Sequence, residues 1–371
     1  MDKCFIELAE SLVTFVKKDV KPMNKTQNHP ASHSKFRMVR YLLPLVIIGL
    51  AAYKFLPQIT TLEKSISVIR SMSVWLIILA FVAQVCSYVG SGYLLKEIVS
   101  LGQSRLSIFR GALIAMVAAS IGLVAGGWIS AAAVTYRLVE KSDNSPEEAT
   151  LAGVLPMLYN TALLVIISTL GLGYLLIAHQ LSSALMFAYS LILFIFWLGF
   201  LLIIFGIKHQ EIVESLILWI INHFMHLFGR VYDTTPVSTM IDSIFTGLKL
   251  LLNGRWKKPA IGSGINIAFD MLTLYLLFIA AGHAANPVVL MAGYSVAFLL
   301  EKGVFFIPGG IGVIESGMVA IYTSLGIPGA INVVVILSYR LISFWLPSLL
   351  GFAVAVYLQR TSANIQRQKL L

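Results

Sequence analysis

Four ionisable residues of this chain stand where a charge is expensive. Glu315 follows Pro308, Gly309, Gly310 and Gly312 in "FFIPGGIGVIESGM" (305–318). Arg340 lies in "SYRLISFWLPSLLG" (338–351), and no Asp, Glu, Lys or Arg occurs from Leu341 to Gln359. Asp270 sits in the middle of "SGINIAFDMLTLYLLF" (263–278), and Glu301 stands beside Lys302. An ionised side chain in hydrocarbon is costly, so it faces a partner or a water-filled cavity and marks a site by default. Arg340 has no short route to an interface and needs a partner; Glu315 or Glu301, both preceding it, can serve. A guanidinium also fits phosphate bidentately. The Pro-Gly-Gly-x-Gly cluster breaks a helix, and amides freed at a helix N-terminus bind anions. In a bilayer such a break is tolerated only where protein or a water-filled cavity surrounds it. The chemistry on offer is therefore the holding of an anionic group. The plainer alternative is that a Glu–Arg pair pins a hairpin to a helix, that Asp270 bonds a neighbouring helix, and that Glu301 and Lys302 lie at the interface.

The elements that position these groups must be membrane helices. The chain has 371 residues, 58% hydrophobic and 12% charged, against about a quarter charged in an ordinary soluble domain. Residues 71–95, 111–136 and 149–207 contain no Asp, Glu, Lys or Arg. A spanning helix takes about 20 apolar residues, so the last run holds two. A β-barrel would show short alternating segments instead. The formal net charge of +10 suits Lys and Arg in loops facing anionic lipid better than a nucleic-acid surface. Cys4 and Cys86 form no metal-ligand spacing. His223 and His226 fall in the amphipathic "LILWIINHFMHLFG" and read as an interfacial pair. There is no Walker loop or nucleotide fingerprint. No catalytic constellation, cofactor or metal site is expected.

Residues 1–40 read as an amphipathic helix and a polar linker on the cytoplasmic side, because eight Lys or Arg precede Tyr41. Clear spans fall at about 41–57, 73–95, 149–177, 184–207, 259–281 and 331–358. Segments 107–138 and 286–326 are ambiguous. If 107–138 crossed once, the basic segment 208–258 would face outside, against the positive-inside rule. If it enters and returns at Gly126-Gly127, the basic loops, 208–258 and the tail from 361 to 371 all face the cytoplasm. The same logic makes 286–326 a hairpin entering from outside with its turn at Pro308-Gly309-Gly310. The expected fold is an all-α polytopic membrane protein with six full spans and two oppositely oriented re-entrant helical hairpins. Its membrane domain covers 41–360, in halves of about 41–178 and 184–358, with 208–258 an interfacial loop.

The halves carry a faint internal repeat. Gly126-Gly127 corresponds to Gly309-Gly310, and "LYNTALLVIISTLG" (158–171) aligns with "SYRLISFWLPSLLG". Tyr159 then falls on Tyr339, Asn160 on Arg340 and Leu170-Gly171 on Leu350-Gly351. Inverted repeats whose discontinuous helices meet near the midplane are a transporter architecture.

"IPGGIGVIESG" followed by "SYRLISFWLPSLLG" resembles the signature of the lysylphosphatidylglycerol synthase transmembrane family, and "GLVAGGWISAAAVTYRL" looks like its first glycine-bearing segment. The best-known members, the multiple-peptide-resistance proteins, make aminoacylated phosphatidylglycerol and flip it between leaflets. The resemblance covers about 40–360 and implies a flippase-like lipid translocase of the bacterial or archaeal cytoplasmic membrane. It places Pro308, Gly309, Gly310, Gly312 and Glu315 in the hairpin motif, and Arg340, Trp345, Pro347 and Gly351 in the last-span motif. No synthase domain follows Leu371, so enzymatic activity is not expected. The expected substrate-binding set is Arg340, Glu315, Glu301, Asp270, Tyr339 and Asn160. Expected partners are membrane phospholipids, a cytosolic lipid-modifying enzyme or glycosyltransferase, and a second copy of the chain as a homodimer, with no nucleic acid. Two other functions fit the same residues: a non-transporting scaffold recruiting a cytosolic synthase through 208–258, and an ion-coupled small-solute transporter using Asp270 and Glu301.

Overall fold

In the computed structural model every regular element among the described residues is helical. Those residues are 62–102, 104–125, 127–142, 144–178, 182–227, 235–303 and 308–355, all within one unit, Tyr53–Leu371. The expected N-terminal helix, the first span (41–57), Gly126 and the tail (361–371) lie outside them. In chain order the helices are α1 (Leu62–Ser71), α2 (Val74–Val99), α3 (Ile108–Ala125), α4 (Gly127–Glu140), α5 (Pro146–Ile177) and α6 (Ser183–Lys208). There follow α7 (Gln210–Leu227), α8 (Thr235–Leu250), α9 (Lys257–Ala280), α10 (Pro287–Gly303), α11 (Val313–Ser324) and α12 (Gly329–Arg340). The last continues through a π-helical turn, Leu341–Trp345, to Ala355.

Among the described residues, five helices are long and apolar enough to cross a membrane: α2, α5, α6, α9 and the continuous Gly329–Ala355. Each matches an expected span. Local chemistry sets their ends. Ser145 opens α5 with a capping box, its hydroxyl accepting from the Glu148 N–H while its own N–H donates to the Glu148 carboxylate. Gly282, at φ +76°, closes α9: its N–H reaches the Ile279 carbonyl and that of His283 the Phe278 carbonyl.

The spine of the fold is the pair α2 and α9, which run antiparallel. Thr273 donates to the Ala80 carbonyl at 3.3 Å, Asn266 to the Ser87 carbonyl at 3.1 Å, and Gly262 lies on Leu94. Such proximity needs glycine. A Cβ on Gly262 would stand 2.6 Å from the Leu94 nitrogen, and one on Gly90 would stand 2.5 Å from that of Asn266. Small residues at close helix contacts, with polar side chains bonding across, are the usual means of membrane helix association.

The antiparallel sense is the one the re-entrant reading requires, since a single crossing by α3 and α4 would make α2 and α9 parallel. α3 packs on α4, and α10 packs on α11 in the same way. These helices of 18, 14, 17 and 12 residues measure roughly 27, 21, 26 and 18 Å, short of the ~30 Å hydrocarbon core. The turn of the second hairpin, Pro308–Gly310, lies against α3 and α4.

Contacts in one half have counterparts in the other. α2 meets α3 as α9 meets α10, α4 meets α5 as α11 meets α12, and α2 meets α5 as α9 meets α12. The aligned glycines behave alike too. Gly171 seats on Ala292 in the first helix of the second hairpin, and Gly351 on Ser120 and Met116 in the first helix of the first.

Candidate functional site

The second hairpin turns on three glycines in left-handed conformation, Gly309 and Gly310 at φ +61° and Gly312 at φ +83°. An L side chain there costs about 1–2 kcal/mol, so the Pro-Gly-Gly-x-Gly spacing is a backbone requirement. Gly127, at the tip of the first hairpin, has φ +71°. After Gly312 the chain enters α11, and Glu315 occupies its first turn, where the helix dipole favours a carboxylate. One Glu315 oxygen accepts from the Gly312 N–H at 2.7 Å; the other accepts from Arg340 Nε at 2.6 Å. Arg340 Nη2 donates to the Gly309 carbonyl at 2.8 Å, and the guanidinium carbon sits 4.2 Å above the centre of the Phe344 ring. Arg340 is 3% exposed and Glu315 6%. Hairpin turn, helix cap and last span are thus tied by one buried ion pair.

Arg340 can occupy this place because α12 is irregular just beyond it. The π-helical turn Leu341–Trp345 changes the register there, a feature common near functional sites. Pro347 has no N–H to give the Ser343 carbonyl four residues earlier. The Tyr88 hydroxyl of α2 reaches that carbonyl through a long bond of 3.4 Å. Phe344 is thereby held under the guanidinium, with Trp345 edge-on beside it.

A second polar centre adjoins the first. Asp270, in mid α9, accepts from the hydroxyls of Tyr294 (α10) and Tyr339 (α12), each at 2.6 Å, both on Oδ2. Both tyrosines are buried, whereas Asp270 is half-buried. Gln84 of α2 lies within reach of the same carboxylate, and Arg340 within electrostatic range. Gln84 is buried, and its Oε1 has no hydrogen-bond partner among the described residues.

The remaining expected residues lie apart. Glu301 pairs with its neighbour Lys302 at 3.1 Å rather than with Arg340, although its Cγ lies directly under Gly310. Asn160, aligned with Arg340 in the repeat, accepts a 2.6 Å bond from Ser263 between α5 and α9. It joins neither centre. Of the last-span residues, Trp345 is exposed, while Pro347 and Gly351 are buried. Tyr294, Gln84, Tyr88 and Phe344 were not among the expected site residues. Uncharged polar groups inside apolar helices are the signal that marks the first three.

Among the described residues, no group of three or more His, Cys, Asp or Glu is arranged to hold a metal. The family model for the lysylphosphatidylglycerol synthase TM region matches residues 41–351. A UPF0104 membrane protein of Methanocaldococcus jannaschii is 27% identical over 133 residues, 35% of this chain and 39% of that protein. One of Pyrococcus horikoshii is 37% identical over 84 residues, 22% of this chain and 24% of that protein. The alignment with one of Methanothermobacter thermautotrophicus is 22% identical over 166 residues, 43% and 48% of the two chains. The chain thus matches less than half the length of each of these relatives. The family match covers both glycine hairpins, the buried ion pair and nearly all of the last span, and on it the chain belongs to the lysylphosphatidylglycerol synthase transmembrane family.

Proposed function

We propose that this protein is a lipid translocase, moving a phospholipid or a lipid-linked product between the leaflets of a bacterial or archaeal cytoplasmic membrane. The observation that carries this reading is the buried Arg340. Two of its donors go to Glu315 and Gly309. A guanidinium has five, and Nη1 has no partner among the described residues. A lipid phosphate, an anion able to accept two parallel guanidinium N–H bonds, takes the guanidinium by displacing the Glu315 carboxylate, which holds it through Nε alone. Displacement frees Glu315 for a cationic headgroup and releases the hairpin turn from α12. The two hairpins enter from opposite faces, and the contact of Pro308–Gly310 with α3 and α4 is the gate between them. Phospholipids are the partners this requires. The termini and the 208–258 segment face the cytoplasm, following the basic residues.

The test is lipid mass spectrometry on gently extracted protein, joined to leaflet exchange of labelled lipid in proteoliposomes, for wild type and Arg340→Ala. One lipid class enriched with wild type and lost with the variant, together with lost exchange, is the expected result. Exchange retained by a folded Arg340→Ala protein sinks the phosphate site.

The burial of the pair favours a second reading, in which it only pins the hairpin. The protein is then a scaffold that recruits a cytosolic lipid synthase or glycosyltransferase through the 208–258 segment. Deleting α7 and α8 would abolish that enzyme's membrane activity, while Glu315→Gln with Arg340→Gln would leave it intact.

A further inference from the structure

Asp270 lies in the middle of a membrane span and has no ion-pair partner among the described residues. It stands 13 residues after Lys257 and 10 before Ala280, the ends of α9, or roughly 20 and 15 Å from them. Among the described residues, the charged and titratable groups that face it are Tyr88 from α2, Tyr294 from α10, and Tyr339 with Arg340 from α12. The one cation among these, Arg340, gives its bonds to Glu315 and Gly309. Bonds of 2.6 Å from two tyrosines are in the range for a charged acceptor, so the ionised form has donors. The protonated form has a partner as well. Both tyrosines sit on Oδ2, leaving Oδ1 for a proton, and the buried Gln84 Oε1 in reach of the group is an acceptor with no donor. Turning the Gln84 amide presents N–H to the carboxylate or O to the carboxylic acid. The site is satisfied in both protonation states, which a purely structural carboxylate does not need.

We propose that Asp270 is a proton-binding site, and that its loading is passed to the Arg340–Glu315 pair through α12. The proton comes from water on one face, binds Asp270 Oδ1 and leaves to the other face, with no bond to carbon made or broken. Loading weakens the Tyr339 bond from charge-assisted to neutral, about halving its strength. Tyr339 and Arg340 are consecutive in α12, and the π-helical turn follows at once, so movement of one side chain's anchor moves the other. This coupling rests on the translocase reading and supplies it with an energy source, a proton gradient.

The proton site is read without transport, by infrared pH titration of the full chain in lipid nanodiscs. A carboxylic-acid C=O band growing as pH falls, lost in Asp270→Asn, kept but shifted in Asp270→Glu and shifted in Tyr339→Phe, is the expected result. No difference between wild type and Asp270→Asn overturns the site whatever the lipids do. A band set by sodium rather than by pH overturns it in favour of a metal cation. Coupling is read in proteoliposomes, where a pH gradient is expected to speed labelled-lipid exchange by wild type, whereas Asp270→Asn is expected to show the same exchange rate with and without the gradient. An Asp270 band with gradient-insensitive exchange overturns the coupling and leaves the translocase standing. An Asp270 band with no exchange by wild type under any condition overturns the translocase, and the coupling with it.

Discussion

Arg340 and Glu315 illustrate what removing one half of a buried pair does. The attraction between them is offset in large part by desolvation, whereas a lone survivor stays buried and uncompensated, at about 3–5 kcal/mol. Glu315 also holds the Gly312 N–H, so Glu315→Ala uncaps α11 as well. Each single replacement, Arg340→Ala or Glu315→Ala, is expected to lower the thermal midpoint of the solubilised protein sharply. The double replacement should cost clearly less than their sum, and additivity would mean the two do not work as a pair. Arg340→Lys should recover little, because one ammonium cannot serve Glu315 and the Gly309 carbonyl in the same fork. That the arginine needed a carboxylate was legible from the uncharged run after it. Which carboxylate was not: Glu301 and Glu315 lie on the same hairpin, and the choice depends on how the turn folds. The three left-handed glycines aim the first turn of α11, and so Glu315, at α12, while Glu301 lies beneath Gly310 beside its own lysine. Tyr294 was illegible for a related reason. Nothing local joins residues 270, 294 and 339; three helices packing together do.

Between elements, closeness of backbones matters more than apolar area. Gly262 and Gly264 lie two apart in α9 and face different surroundings. A Cβ at 262 would meet the Leu94 nitrogen and Cα at 2.6 and 2.7 Å, whereas one at 264 would meet nothing within 4 Å. Gly262→Ala is therefore expected to destabilise by about 1–3 kcal/mol through overpacking. Gly264→Ala should be neutral or stabilise by up to about 1 kcal/mol through helix propensity. Thermal unfolding of the two variants side by side checks this, and equal effects would contradict the α2–α9 contact. At the hairpin tip, Gly309→Ala combines a left-handed φ with a Cβ directed into the Phe344 ring. It should lower the thermal midpoint more than alanine at Gly264. Helix ends were legible where they coincide with caps such as Ser145-Pro146-x-Glu148. They were misplaced where charge was taken as the end of a span. α2 runs four residues beyond the expected 95, because Glu97 stays in the helix, buried and paired with Lys96 at 3.3 Å. Charge marks where the bilayer stops, not where the backbone hydrogen bonds do.

For the molecule as a whole, topology turns on one relation, the antiparallel sense of α2 and α9. It assigns the connections to two ends. At one end Arg255 donates to the Leu101 carbonyl, Ser104 to the Glu148 carboxylate, and Lys249 to Gln210. At the other the Ser73 N–H meets the Ala280 carbonyl, and Asn286 meets the Tyr174 hydroxyl. The basic loops gather at the first end and the nearly uncharged ones at the second, so charge and packing agree although they are independent. The expected outcome is definite. In a Cys4→Ser, Cys86→Ser background, single cysteines at Ser104, Ser142 and Lys249 should react with a membrane-impermeant thiol reagent only from the cytoplasmic side. Cysteines at Ser182, His283 and Ser324 should react only from the opposite side. Ser142 carries the decision, since it lies just after α4 at the base of the first hairpin. Labelling of Ser142→Cys from the side opposite to Ser104→Cys would mean that α3 and α4 together cross the membrane once. α9 would then run parallel to α2, the two hairpins could not enter from opposite faces, and the alternating gate between them would lose its geometric basis.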